Sequence, residues 1–62
     1  MTTMTAVEFE KGQAVQVFTD DEWCKGVVVD IDENRSRPYL VKFNENGVGD
    51  ESWFGPASVQ AR

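Results

Sequence analysis

Eleven carboxylates stand against six basic side chains in this sequence, and histidine is absent. The acids are therefore the first groups to weigh for chemistry. Asp30 and Asp32 stand two apart in Val28-Val29-Asp30-Ile31-Asp32. That spacing puts both carboxylates on one face of a β-strand, where a pair could hold a divalent cation or divide acid and base roles. On a strand whose alternate residues are apolar, it is also the ordinary look of a solvated face, and that reading is adopted. Asp20-Asp21-Glu22 forms a second acidic group in a stretch of turn composition. Cys24 is the only cysteine, so no intramolecular disulfide and no cysteine-based zinc site can be assembled from one chain. A reducing cytoplasm is the expected compartment. Arg35 and Arg37 make the only local basic cluster. No metal, cofactor or catalytic constellation is expected, and function has to be argued from charge and aromatic side chains.

Strands must position these groups. Val15 and Val17 share one face and Gln16 and Phe18 the other, which predicts a first strand over Gln13–Thr19. The second strand is expected from Trp23 to Asp32, with Val27, Val29 and Ile31 facing the core and Asp30 and Asp32 facing water. Gly26 inside it reads as a bulge or sharp bend. After the polar stretch Glu33 to Pro38, alternation in Tyr39-Leu40-Val41-Lys42-Phe43 predicts a third strand. Asn46-Gly47 is a hairpin turn signal, and Glu51-Ser52-Trp53-Phe54 is the expected returning strand. Gly55-Pro56 stops it. Pro56-Ala57-Ser58 suits a single 3₁₀ turn, and Val59-Gln60-Ala61 a short last strand. Phe9 reads as an apolar anchor and Gly12 as a positive-φ turn residue. The expected organisation is a flexible leader over 1–8 and one β-barrel over 9–62.

A chain of 62 residues holds one domain with a thin stability margin, which a homo-oligomer would widen. The formal charge of -5 is the reverse of the basic footprint of a phosphate-backbone binder and argues against direct nucleic-acid binding. The same field attracts cationic partners. No apolar stretch approaches the roughly 20 residues that span a bilayer, and Met1 to Ala6 lacks the basic start and apolar core of a secretory signal, so no membrane partner is expected.

Five short strands with a 3₁₀ turn before the last resemble an SH3-like barrel, and particular residues resemble Tudor-like domains. These are Gly12-Gln13, Val15, Phe18-Thr19-Asp20-Asp21, Trp23, Gly26-Val27-Val28, Leu40-Val41-Lys42-Phe43 and the acidic loop before Trp53. The resemblance implies an all-β fold and a non-enzymatic module that binds a protein or basic peptide. Its ligand would be a methylated Lys or Arg held by an aromatic cage, through attraction of a cation to ring faces. On this resemblance Phe18, Trp23, Phe43 and Trp53 are the cage rings, with Trp53 opposite Phe43, and Asp20, Asp21 and Glu45 are the acidic rim. The insert Gly47-Val48-Gly49 lengthens the loop beyond the Tudor layout. Gly12, Val15, Trp23, Gly26, Tyr39 and Val41 are also similar to the small plasmid-borne type II dihydrofolate reductases, which are homotetrameric enzymes. Glu51-Ser52-Trp53-Phe54 stands where their pore motif would be, and an acidic pore would repel both their substrates. A third reading is an acidic inhibitor that mimics DNA charge and covers a basic partner surface.

Overall fold

The computed structural model describes residues 9–62, so the expected leader 1–8 lies outside the described residues. The fold is all-β, with strands β1 (Ala14–Thr19), β2 (Glu22–Ile31), β3 (Tyr39–Glu45), β4 (Val48–Phe54) and β5 (Val59–Ala61). A 3₁₀ turn at Pro56–Ser58 precedes the last strand. One antiparallel sheet in the order β4-β3-β2-β1-β5 holds all five, so the expected five strands with a 3₁₀ turn before the last are present. Among the described residues no helix is long and apolar enough to cross a membrane.

Two tight turns fix the registers. Thr19 pairs with Glu22, so only Asp20 and Asp21 lie between β1 and β2. Both have positive φ, 50° and 64°. Glu45 pairs with Val48, leaving Asn46 and Gly47 between β3 and β4, with φ 53° and 81°. Positive φ at both central residues is the signature of a type I′ turn, whose twist matches that of the flanking strands, and Asp, Asn and Gly are the residues that tolerate it. The second turn corrects one expectation. β4 begins at Val48, directly after Gly47, so Gly47-Val48-Gly49 is no loop insert, and Asp50 rather than Trp53 lies opposite Phe43.

The inner face of β2 is also not the one expected. Cys24, Gly26 and Val28 point inward, while Val27 and Val29 are 38% and 37% exposed. Simple alternation from Val28 would then turn Asp30 into the core and Ile31 out of it. A register shift against β3 between Val28 and Asp30 prevents this: Val29 is the extra residue, and Ile31 returns to the core side. Thus Ile31 faces inward as expected, whereas Val27 and Val29 do not. Asp30 is half-buried beside the bulge, where Oδ1 accepts the Ile31 N–H at 2.8 Å and lies 3.4 Å from Lys11 Nζ.

Gly26 is not the bulge. A Cβ there would stand 2.6 Å from the Lys42 carbonyl oxygen, 2.8 Å from Val41 Cγ1 and 2.9 Å from Phe43 Cβ, so a bare α-carbon lets β3 close on β2. Around it the core gathers Val15, Val17, Cys24, Val28, Tyr39, Val41, Phe43 and Val59, with Phe9 edge-on to Tyr39 at 5.1 Å as the anchor expected. Gly12, at φ 86°, donates its N–H to the Val28 carbonyl at 2.7 Å and ties the segment before β1 to β2.

Val28→Ala should cost about 2 kcal/mol through lost burial and the cavity left behind, and Val27→Ala about 0.5 kcal/mol or less. Thermal unfolding separates them, at roughly 4–8 °C per kcal/mol for a domain of this size. Equal costs would refute the inward face assigned to β2. Gly26→Ala, which meets backbone it cannot displace, should lose about 1–3 kcal/mol. A melting temperature unchanged by that substitution would show that β3 does not approach so closely.

Candidate functional site

In an antiparallel meander every second turn lies at the same end of the sheet. The β1–β2 turn, with Asp20 and Asp21, and the β3–β4 turn, flanked by Glu45, therefore share one end. Residues of β4 that face the same side as Phe43, Val41 and Tyr39 are Asp50, Ser52 and Phe54, by ladder register. Only Phe54 of these three is large and apolar, and it packs edge-on to Phe43 at 5.4 Å. Above it, acidic and small side chains leave the sheet unfilled. The result is an open hollow of about 390 Å³ lined by Phe18, Thr19, Asp20, Arg37, Phe43, Glu45, Asp50, Ser52, Trp53, Phe54, Gly55 and Ser58.

Five of the seven site residues expected from the sequence border this hollow: Phe18, Phe43, Trp53, Asp20 and Glu45. Their rings do not form a four-walled cage. Phe18 is 43% exposed on the outer side of β1, directly across the ladder from Trp23, with ring centroids 5.3 Å apart and planes inclined at 55°. Trp23 is exposed but does not line the hollow, and backs Phe18 instead. Phe43 is buried and belongs to the core. Trp53 pairs with Leu40 on the opposite side of the sheet from Phe43, and its ring carries the Arg35 guanidinium at 4.1 Å from the centroid. Asx bonding builds that contact: Asp32 Oδ1 accepts the Asn34 N–H at 3.0 Å, and the Asp32 carbonyl accepts the Arg35 N–H at 3.1 Å. Asp21, on the same turn as Asp20, lies outside the lining.

Asp50 and Phe54 were missed by sequence reasoning. A signal existed: counting back from Asn46-Gly47 as a two-residue turn sets Asp50 against Phe43 at once. Arg37 also borders the hollow. Among the described residues no group of three or more His, Cys, Asp or Glu side chains is placed to hold a metal ion, and the one ion pair is Lys11 with Asp30.

Crowding of like charges is the site's electrostatic feature. Hydrogen bonding with the Asp20 carboxyl is the largest influence raising the Glu45 pKa, followed by partial burial and by the charges of Asp20, Glu22 and Asp50. A carboxyl whose pKa rises on folding binds protons more tightly in the folded state. The fold accordingly loses stability as pH rises from the ordinary glutamate value through the folded one. Asp30 behaves oppositely. The Ile31 N–H, then Lys11, hold its pKa down against burial, so its contribution is present above the ordinary aspartate value and is lost as pH falls through the folded one. Burial, then Glu22, Glu45 and Asp20, raise the Cys24 thiol pKa and keep it inert.

Comparison with models of known protein families, with curated proteins and with solved structures finds no match.

Carboxyl resonances followed through an acid titration should give Glu45 a midpoint above the ordinary glutamate value, and Asp20→Asn should move it down. Asparagine keeps the positive-φ turn while removing the charge. A Glu45 midpoint indifferent to Asp20→Asn would refute the proposed contact between the two carboxyls.

Proposed function

We propose that this protein is a non-enzymatic interaction module that receives a Lys or Arg side chain of a basic peptide in the hollow between its two type I′ turns. The observation that carries this reading is the convergence of Asp20, Glu45 and Asp50 around an open hollow edged by the exposed ring of Phe18. The raised Glu45 pKa comes first from its hydrogen bond with Asp20 and then from burial, with the charges of Asp20, Glu22 and Asp50 adding to it, and an incoming cation offsets that charge crowding. Asp21 and Glu22 continue the negative field outside the hollow, which favours a peptide with several basic residues over a lone amine.

The ring arrangement shapes the expected selectivity. Phe18, backed by Trp23, offers one aromatic wall, while Phe43 is sealed in the core and Trp53 already holds Arg35. One exposed cation–π contact contributes about 0.5–1 kcal/mol, and each solvent-exposed ion pair about 0.2–1 kcal/mol. A single side chain then binds with an affinity of about millimolar at best, and avid binding needs a longer basic segment. Methylation should matter little, because it is a closed box of rings that rewards the loss of ammonium hydration.

Amide shifts measured while a Lys/Arg-rich peptide is titrated in should move at Phe18, Asp20, Glu45 and Asp50. Trimethylation of the central lysine should change affinity by less than about tenfold. Binding should strengthen as pH rises through the Glu45 titration, and Glu45→Gln or Phe18→Ala should weaken it. Silence at these positions at millimolar peptide, with the fold intact, would eliminate the reading.

A further inference from the structure

On the outer face of β2 and β3 the charge reverses. Lys25, Lys42 and Arg62, half of the chain's six basic residues, line a second open hollow of about 490 Å³ together with Gly26, Val27, Val29, Phe43 and Asn44, and no Asp or Glu lines it. The placement follows from the inward assignment of Val28. Lys25, Val27 and Val29 alternate outward on β2, and Val27 faces Lys42 across the ladder. Arg62 is drawn in from the chain end. Its N–H donates to the Ala14 carbonyl at 3.3 Å, and its Nη2 donates to the Gly26 carbonyl at 3.0 Å. None of the three cations has an ion-pair partner among the described residues. Two exposed valines between unpaired cations, on a protein of charge -5, are a local exception that solubility alone does not call for.

We propose that this face binds an acidic peptide segment. Its Asp or Glu side chains meet Lys25, Lys42 and Arg62, and an intervening aliphatic side chain rests between Val27 and Val29. Charge complementarity selects an anion, and the valines select a peptide over a polyphosphate, since they give an aliphatic side chain apolar contact and a phosphate nothing. Glu51 lies directly across from Lys42, so an extended polyanion would meet repulsion just beyond the cations that a short acidic segment can use alone. A second copy of the chain could bring the carboxylates of its own acidic hollow, and the dependence on protein concentration tested below separates that case. This surface is distinct from the acidic hollow, and its ligand has the opposite charge, so the two readings stand or fall separately.

The probe is an end-capped pentapeptide with two acidic residues on either side of a central leucine, titrated into the nitrogen-15-labelled full chain. Amide shifts should appear at Lys25, Val27, Val29 and Lys42 and leave Asp20 and Asp50 unmoved. The Lys25→Gln/Lys42→Gln double variant, at exposed positions that leave the core untouched, should weaken binding on the order of tenfold. Added salt should weaken it too, as should replacing the peptide's leucine with glycine. Four results would overturn the proposal: no shifts at millimolar peptide, shifts unaffected by the double variant, equal binding of an oligothymidylate of matched charge, or shifts that track protein concentration alone and so report self-association.

Discussion

A two-residue turn leaves an antiparallel ladder no freedom of register, and this chain has two of them at one end of its sheet. Asp20-Asp21 and Asn46-Gly47 all adopt positive φ, so β1 is locked to β2 and β3 to β4 without slack. Shifting either register by one residue would turn Val15 and Val17, or Val41 and Phe43, away from the core they help form. The same constraint delivers Asp20, Glu45 and Asp50 to one hollow. The acidic site is thus a by-product of the turns that define the fold, and its carboxylates are held in place by backbone geometry.

β2 carries the second constraint. It must contribute to the core at Cys24, Val28 and Ile31, positions that strict alternation cannot all place on one side. The bulge at Val29 reconciles them, keeps Asp30 out of the core, and leaves Val27 and Val29 together on the outer face. Gly26 serves the same strand differently, by removing the side chain that would keep β3 at a distance. Core formation and the apolar floor of the basic hollow are therefore two consequences of one choice of inner face.

The net charge of -5 conceals this division. Within the roughly 8–10 Å over which salt permits exposed charges to interact, a ligand responds to its immediate neighbours and not to the total. The chain offers carboxylates at its turn end, and lysines with an arginine on the outer face of β2 and β3. Arg35 on Trp53 shows the same local rule inside the molecule, with a cation settled on a ring of a predominantly acidic protein.

Local signals in the sequence were enough for the existence of the five strands, the Asp20-Asp21 turn, the 3₁₀ turn at Pro56–Ser58 and the anchoring role of Phe9, because these depend on residues within a few positions of one another, whereas β4 starts at Val48, three residues before the Glu51 expected. The grouping of Asp20, Glu45 and Phe18 comes from the resemblance to Tudor-like domains and not from these local signals. They could not settle the inner face of β2, since Val27-Val28-Val29 is apolar in either phase and the choice depends on how Cys24 and Ile31 meet β1 and β3. Nor could they divide the aromatic residues. Whether Phe43 is core, whether Trp23 supports Phe18 and whether Trp53 is free or covered by Arg35 are decided by packing between segments far apart in the chain, which only the tertiary structure fixes.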